Sequence, residues 1–397
     1  MENEKVYIRK RIWKSRLQSI PFYLCRIFPI KKNKIVFCCI EGTTGYTCNP
    51  KYIAEELIRK NEGYELVWIV NDMSKEFPEE IKKVHNTLWN RAYHLTTAHI
   101  WIDNSRKQLE ARKRRGQKYI QTWHAKLGFK PTCLDRGASF TEIAYLVSKH
   151  DSDMIDYWLS NSDWYDKTLP TGSIYTGKTL RTGSPRCDVL LNDLAGSRKR
   201  VRENFELSQD AKILMYAPTF RGGSQNTDRT IETGNNFPDY QRLVKALEMK
   251  FGGKWYIFLR LHPQLVARNL DSDMTGGNII DVSRVDDMYE ILAGCDAFMT
   301  DYSSAAFDAA VMKIPIFLYA YDYEEYEQER GKLLWDLKKL PFLFAVNNEE
   351  LEEQIQKFDE KSYIDGLQKL FADTGMVEDG NASEYVADMV RNLTQLG

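Results

Sequence analysis

Two successive series of short apolar segments alternating with helical patterns constrain this chain more than any other feature. In the first series we predict strands at Lys34–Ile40, Tyr64–Val70, His99–Asp103, Lys118–Thr122 and Tyr157–Asn161, with one more before Gly183. In the second series we predict strands at Ile213–Ala217, Trp255–Leu261, Ile279–Val282, Ala297–Thr300 and Ile314–Leu318. Strands that alternate with helices at this spacing are typical of parallel, doubly wound sheets.

The alternation predicts an α/β chain of two Rossmann-like domains that face a central cleft, with the functional site at the carboxyl ends of the strands. We place the N-terminal domain at residues 34–190 and the C-terminal domain, with its terminal helices, at residues 191–397. The polar run Asn192–Gln209 is the expected connection. A helix is expected to open at Asn49-Pro50, with Asn49 as its N-cap.

Residues 1–33 form a separate basic segment that also carries apolar and aromatic residues. Ten Lys and Arg residues lie from Lys5 to Lys34 without an intervening acid, and residues such as Trp13, Phe22 and Ile27 lie between them. This composition predicts an amphipathic segment on an anionic membrane surface. The alternatives are a basic helix packed on its own domain, or a disordered tail.

Composition excludes several classes of protein. The net charge of −1 offers no basic field for nucleic acid. The seven cysteines show no Cys-x-x-Cys spacing, which predicts reduced thiols and neither a zinc site nor a redox motif. No signal peptide and no membrane-spanning helix are expected, because the start is polar and no apolar run reaches about 18 residues.

The first candidate site is the segment Gln121 to Lys130, which contains a histidine directly after a predicted strand. At the carboxyl edge of the sheet, His124 can take a proton from an attacking hydroxyl near neutral pH. Lys126 and Lys130 are candidates for contacts with an acceptor or with phosphate oxygens. The alternative is a histidine whose hydrogen bonds are satisfied within a turn.

The second candidate site is a strand of the C-terminal series that ends in Arg260, Leu261, His262 and Pro263. Arg260 and His262 alternate with apolar neighbours and so point to the same side, where two cations suit a pyrophosphate. The alternative is a buried strand end with a capping histidine.

The third candidate site runs from Asp301 to Asp308 and includes Ser303 and Ser304. Backbone amides at a helix start, together with serine hydroxyls, can hold phosphate. The segment lacks the glycines of a P-loop or dinucleotide fingerprint, and ordinary N-capping is the alternative. Three further polar residues follow strands or turns in the same way: Arg186, Thr219 and Arg221.

Taken in order, these segments resemble the CDP-glycerol glycerophosphotransferase family of teichoic acid and capsule biosynthesis. The resemblance runs from about Lys34 to Arg330 and is most specific from Asp281 to Asp308, followed by Pro315–Asp322. One difference is that many members carry His-Gly-Thr-Pro at the first histidine, whereas this chain has His124-Ala125-Lys126-Leu127-Gly128. The acceptor site is therefore expected to differ from that of such members.

The resemblance implies a GT-B-like fold and transfer of glycerol phosphate from CDP-glycerol, with release of CMP. It implies that His124 is the base and that His262 binds or protonates the donor phosphates. It places Asp301, Ser303, Ser304 and Asp308 in the donor-binding block, beside Arg260, Thr219 and Arg221. No metal or other cofactor is implied.

Further implications of the resemblance are a lipid-linked glycan or polymer as acceptor and peripheral attachment to the cytoplasmic face of the cell membrane. Three alternatives stay open from the residues alone. They are a CDP-ribitol transferase, a GT-B glycosyltransferase that uses a nucleotide sugar, and a non-catalytic nucleotide-binding protein at the membrane.

Overall fold

The computed structural model describes residues 2–219, 237–261 and 277–395 and divides into two compact units. The first unit comprises Met1–Lys126, Thr132–Asp188 and Gly375–Gly397. The second comprises Leu127–Pro131 and Val189–Thr374. The chain therefore enters the second unit briefly, directly after the segment that contains His124, before it returns to the first.

The described helices are, in chain order, α1 Glu2–Gln18, α2 Ile20–Leu24, α3 Cys48–Lys60, α4 Leu88–Thr97, α5 Glu142–Ser152, α6 Asp163–Gly172, α7 Leu194–Asn204, α8 Tyr240–Phe251, α9 Met288–Leu292, α10 Ala305–Ala309, α11 Tyr323–Arg330, α12 Asn348–Lys357, α13 Glu360–Thr374 and α14 Ala382–Gln395. Side chains hold several of their first turns. Thr87, Thr141 and Ser162 each accept a hydrogen bond from a backbone amide of the helix that follows.

The sheet of the first unit contains β1 Lys31–Cys38, β2 Glu65–Val70, β3 Ile81–His85, β4 Ala98–Asp103, β5 Lys118–Gln121, β6 Tyr157–Ser160 and β7 Thr179–Arg181. The order is β3-β2-β1-β4-β5-β6-β7, and neighbouring strands are parallel. Successive residues of β1 point to opposite sides of this sheet, and apolar residues bury both faces. Burial on both faces explains why the buried parts of the central strands, such as Ile35–Cys38 of β1, are apolar in the sequence.

The sheet of the second unit contains β8 Lys212–Tyr216, β9 Trp255–Leu259, β10 Ile279–Asp281, β11 Ala297–Thr300, β12 Ile316–Tyr319 and β13 Leu343–Ala345. The order is β10-β9-β8-β11-β12-β13, again with parallel neighbours. In each sheet the chain moves outward from the first strand and then crosses to its other side. The two parallel doubly wound sheets confirm the predicted fold class.

The last of the terminal helices differs from the sequence expectation. The final helix, α14, packs on α3 in the first unit, although the sequence analysis grouped it with the second domain. Val386, Ala387 and Val390 lie in the core of the first unit, because together they form one apolar face of α14.

The expected interdomain connection also differs. Most of Asn192–Gln209 is helix α7, and Asp193 accepts a hydrogen bond from the Gly196 amide at its start. The apolar residue Val201 is buried within this polar run, which explains why the helix was not recognised as a packed element.

Candidate active site

His124 lies beyond the carboxyl end of β5, on a short loop of the first unit. Its Nδ1 lies 2.8 Å from the carbonyl oxygen of Asn104, the residue that follows the neighbouring strand β4. A carbonyl oxygen only accepts hydrogen bonds, so Nδ1 donates the proton. The other ring nitrogen, Nε2, is then the one that can accept a proton from a ligand.

The surroundings of His124 favour a neutral imidazole. Burial lowers its pKa from the ordinary 6.5, and the positive charges of Arg186 and Arg106 act in the same direction. The hydrogen bond to Asn104 and the nearby Cys48 oppose this shift without cancelling it. A neutral imidazole is the form that acts as a general base at neutral pH.

The guanidinium groups of Arg106 and Arg186 lie near the loop that carries His124. The Arg106 guanidinium lies 4.6 Å from the ring centroid of Trp123, a cation–π contact. Arg186 is buried, its backbone N–H donates to Asn49 Oδ1 at 3.1 Å, and its guanidinium contacts Cys48 Sγ at 3.4 Å. Positive charge therefore lies near His124 on side chains from separate loops of the first unit.

Lys126 and Lys130, which were predicted together as acceptor or phosphate contacts, belong to different compact units. The ammonium of Lys126 is buried and donates to the Gly183 carbonyl at 2.9 Å and to the Ser184 hydroxyl at 2.8 Å. These bonds tie the His124 loop to the loop after β7. The ammonium of Lys130 lies 5.6 Å from the ring centroid of Tyr326, within the second unit.

The segment Leu127–Pro131 packs beside the predicted donor block of the second unit. The Phe129 ring lies 4.8 Å from the ring of Phe307 in α10. The Leu334 amide donates to the Phe129 carbonyl at 2.8 Å, and the Trp335 indole donates to the Gly128 carbonyl at 3.1 Å. The apolar pattern of Leu127 and Phe129 was the only sequence signal for this packing.

Three predicted donor residues of the second unit follow adjacent strands. Thr219 follows β8, Arg260 follows β9 and Asp301 follows β11. The topology reverses between β8 and β11, and ligands of open α/β sheets bind beyond the carboxyl ends of the strands at such a point.

Asp301 joins the two strand ends at this reversal. Its carboxylate, only 1% exposed, accepts from the Thr219 amide at 2.9 Å and from the Tyr302 amide at 2.5 Å. The carboxylate therefore holds the turn after β8 against the turn after β11. Asp301 therefore stabilises this edge of the sheet through hydrogen bonds from backbone amides.

The remaining residues of the block have separate partners. Ser303 Oγ accepts from the Ala305 amide at 3.3 Å, whereas the Ser304 side chain makes no capping bond to α10. The buried Asp308 accepts from the Tyr289 hydroxyl. Arg260 donates to the carbonyls of Val282, at 2.7 Å, and Val285. Ser304 is the N-cap residue of α10 but its side chain does not cap the helix, whereas Ser303, the residue before it, makes a local bond to the first helical amide.

His262 and Arg221 lie outside the described residues, so their predicted roles stay predictions. Within residues 2–219, 237–261 and 277–395, no group of three or more His, Cys, Asp or Glu side chains is arranged to hold a metal ion.

The N-terminal helices carry an exposed apolar stripe, which we call the N-terminal stripe. It consists of Trp13, Leu17, Ile20, Leu24 and Ile27. In the sequence these residues recur at intervals of three and four, across α1, α2 and the short 3₁₀ turn Cys25–Ile27, and Trp13 and Ile27 are 63% and 82% exposed. Exposed cations lie alongside, among them Arg9, Lys10, Lys14, Arg16 and Arg26. Among the helices described, none has the length and apolarity needed to cross a membrane.

Several residues around His124 were not singled out by the sequence analysis. Asn104 orients the imidazole, and Asn49, expected as a helix cap, instead donates to backbone carbonyls of the His124 loop. Thr47, not Asn49, is the N-cap residue of α3. A polar residue directly after a buried strand was the available signal for Asn104.

Comparison with known proteins connects both units to one group of enzymes. The family model described as CDP-glycerol:poly(glycerophosphate) glycerophosphotransferase matches residues 21–392. A teichoic acid poly(glycerol phosphate) polymerase of Staphylococcus epidermidis is 27% identical over 380 residues, which cover 91% of this chain and 51% of that protein. The chain thus spans about half the length of the first curated relatives it matches.

Other relatives are matched over more of their length or use another polyol. A teichoic acid glycerol-phosphate transferase of Staphylococcus aureus is 28% identical, over 90% of this chain and 93% of that protein. A teichoic acid poly(ribitol-phosphate) polymerase of Bacillus spizizenii is 27% identical, over 92% of this chain and 57% of that protein.

A solved structure of the wall teichoic acid polymerase TagF superimposes on the chain with a TM-score of 0.80. The two sequences are 26% identical, and the match covers 99% of this chain and 98% of that one. A variant of that polymerase was also solved after a soak with CDPG, at a TM-score of 0.80 and 25% identity, over 100% of this chain and 99% of that one.

Proposed function

The chain belongs to the CDP-glycerol:poly(glycerophosphate) glycerophosphotransferase family, and on that premise we propose that it transfers glycerol phosphate from CDP-glycerol to a hydroxyl group. The acceptor is a membrane-linked glycan or a teichoic acid or capsule polymer, and CMP is released. The observation that carries this proposal is His124, whose protonated Nδ1 faces the Asn104 carbonyl and whose pKa is lowered by burial.

In the proposed reaction, Nε2 of His124 takes the proton from the acceptor hydroxyl. The acceptor oxygen then attacks the phosphorus that carries glycerol, and the bond from that phosphorus to the CMP oxygen breaks. The products are a phosphodiester on the acceptor and free CMP. Arg186 and Arg106 supply positive charge near the imidazole on the first unit.

The donor nucleotide is proposed to bind the second unit at the edge where β8 and β11 end. Asp301 holds this edge together, and the half-buried hydroxyls of Ser303 and Ser304 lie on it. Thr219 follows β8 and Arg260 follows β9, on the side of the topological reversal opposite β11. Asp308, His262 and Arg221 complete the proposed donor set. Cations and hydrogen-bond donors held at such an edge would stabilise charge on a pyrophosphate without reorganisation.

The N-terminal stripe supports the proposal that the protein attaches peripherally to the cytoplasmic face of the membrane. Exposed apolar side chains at helical spacing, flanked by cations, are typical of helices that lie in an anionic interface. We expect sedimentation with phosphatidylglycerol vesicles and not with phosphatidylcholine vesicles. The double substitution Trp13→Ser and Ile27→Ser should abolish it, and equal sedimentation with both vesicles would contradict an anionic surface.

The reaction is tested by CMP release from CDP-glycerol with a lipid-linked acceptor. His124→Gln should reduce turnover about 100- to 10,000-fold, the usual contribution of a general base, while the Kd for CDP-glycerol changes little. His150→Gln is the matched control, because His150 is also half-buried and bonds a backbone carbonyl through a ring nitrogen. Equal turnover of the two variants would overturn the assignment of His124.

A CDP-ribitol donor is the second candidate, supported by the similar identity to the ribitol-phosphate polymerase. Mass analysis of the product formed from each donor separates the two. Release of UDP from a nucleotide sugar would indicate a glycosyltransferase, and nucleotide binding without turnover would indicate a non-catalytic protein.

A further inference from the structure

The residue before His124 has a backbone conformation that L-residues rarely adopt. Trp123 has a φ of 50°, in the left-handed region, and it is neither glycine nor asparagine. Such a conformation costs about 1–2 kcal/mol and persists only where the surrounding structure enforces it. The direction in which the His124 side chain leaves the loop depends on this one residue.

Two buried amide side chains hold the peptide groups of Trp123 from opposite sides. Gln121 Oε1 accepts from the Trp123 N–H at 3.0 Å. Asn49 Nδ2 donates to the Trp123 carbonyl at 2.6 Å. Both side chains are shielded from water, since Gln121 is 0% and Asn49 1% exposed. We call this pair of contacts the amide clamp.

Each amide of the clamp is itself oriented by other partners. Gln121 Nε2 donates to the Ser105 carbonyl at 3.0 Å and to the Tyr119 hydroxyl at 2.9 Å. The Tyr119 hydroxyl in turn donates to Asp151 Oδ1 at 3.1 Å. These bonds fix which end of the Gln121 amide is the oxygen, so that the oxygen faces the Trp123 N–H.

Asn49 is oriented in the same way. Its Oδ1 accepts from the backbone amide of Arg186, which leaves its NH₂ group to face the Trp123 carbonyl. Asn49 therefore connects the loop that carries Arg186 to the loop that carries His124. The residue lies 74 positions before Trp123 in the chain, so only the fold brings the contact about.

We propose that Gln121 and Asn49 are positioning residues that hold Trp123 in its left-handed conformation and so direct Nε2 of His124 toward the acceptor hydroxyl. This inference rests on the proposed function, because it assigns the two amides a role through His124. The clamp holds the backbone of Trp123, and the Asn104 carbonyl orients the imidazole ring of His124.

Loss of the clamp has a predictable result. Trp123 would relax to a negative φ, and His124 would move away from the Asn104 carbonyl. A displacement of about 1 Å of a catalytic group costs up to about 100-fold in rate. The Kd for CDP-glycerol should not change, because the donor is proposed to bind the second unit.

The displaced imidazole should also titrate differently. The groups that act on it are the Arg106 and Arg186 guanidiniums, the Cys48 thiol and the Asn104 carbonyl, in addition to burial. Greater exposure to water removes the largest of these effects, so the pKa of His124 should rise toward the ordinary 6.5. A purely structural role of the amides would lower stability without moving this titration.

The test compares Gln121→Met with Gln117→Met. Gln117 is a matched control, because it is buried, accepts the Arg114 N–H through Oε1 at 2.7 Å and donates to backbone carbonyls of residues 95–98, away from the Trp123 backbone. We expect Gln121→Met to lower kcat about 10- to 100-fold with KM for CDP-glycerol unchanged, and Gln117→Met to lower only the melting temperature.

The second readout is NMR titration of the labelled histidines, with the His124→Gln variant used for assignment. We expect the His124 pKa to rise in Gln121→Met and in Asn49→Ser. If Gln121→Met does not fold, the titration of Asn49→Ser tests the clamp. An unchanged titration, or a kcat equal to that of Gln117→Met, would refute the clamp. The titration needs no substrate, so it decides the clamp even if CDP-glycerol proves not to be the donor.

Discussion

Substitution of Asp301 by asparagine tests whether this carboxylate is an anchor of the fold or a contact for the nucleotide. The side chain is buried and accepts from the backbone amides of Thr219 and Tyr302. Asparagine keeps the shape of aspartate but is neutral. It also places an NH₂ group where Oδ2 now lies, 3.1 Å from the Thr219 nitrogen, so that two donors would face each other.

The expected cost follows from the bonds that change. A hydrogen bond to a charged group contributes about 1.5–3 kcal/mol and a neutral one about 1 kcal/mol, so each of the two bonds loses about 1 kcal/mol. The free energy of unfolding should therefore fall by about 2 kcal/mol. For a compact unit of this size, that corresponds to a decrease in Tm of about 4–8 °C.

Differential scanning calorimetry measures this change, and hydrogen exchange of the peptide that contains Thr219 locates it. Asp281→Asn is the control, because Asp281 is exposed and accepts a single backbone bond, from Ser283. It should lower Tm by no more than about 2 °C, the effect of a weak exposed bond. An unchanged Tm and unchanged exchange in Asp301→Asn, with CDP-glycerol binding lost, would refute the anchor and favour a nucleotide contact.

Three further predictions concern protonation and a buried cation. Because burial lowers the pKa of His124 from the ordinary 6.5, the acid limb of a pH–rate profile for CMP release should have its midpoint below that value. Burial lowers the pKa of His94 from 6.5 to about 4. The unfolded state therefore binds more protons between these values, and stability should fall by about 3 kcal/mol as pH drops through them, a loss absent from His94→Phe in acid denaturation. Lys126→Met should lower the free energy of unfolding by about 3 kcal/mol in urea, since Gly183 and Ser184 lose a buried charged donor.

Each of these predictions has its own contrary result. A midpoint of the acid limb at or above 6.5 would contradict a depressed pKa at His124. Replacement of the exposed His85 by Phe should leave the acid loss intact, and a loss that persists in His94→Phe would show that other groups cause it. Lys167→Met, at an exposed helix position, should lower the free energy of unfolding by less than about 0.5 kcal/mol. An equally small decrease in Lys126→Met would show that the buried bonds of Lys126 do not stabilise the fold.

Much of the fold could be predicted because its signals are local. A parallel strand that is buried on both faces is mainly apolar, so the apolar runs within β1, β4 and β11 could be recognised from their own residues. β3 and β13 were missed, because Ile81–His85 includes two lysines and Leu343–Ala345 has only three residues. Edge strands of this kind carry little of the apolar pattern.

The candidate site was predictable only to the level of the strand ends. A histidine directly after a strand must lie at the carboxyl edge of its sheet, and His124 does lie there, on the first unit. The partners of the His124 loop could not be predicted in this way, because Asn104 follows the neighbouring strand and Asn49 lies in a distant helix.

The sequence by itself determined the two alternating series, the parallel sheets and the edges at which polar residues collect, because hydrophobic periodicity within a segment decides these features. Only the tertiary structure decided which segments meet. It placed α14 on α3, assigned Lys126 and Lys130 to different units, and made Asn49 a partner of Trp123 instead of a helix cap. The physical reason is that a buried amide or ammonium satisfies its hydrogen bonds with whichever groups the packed chain brings near, and those groups are distant in sequence.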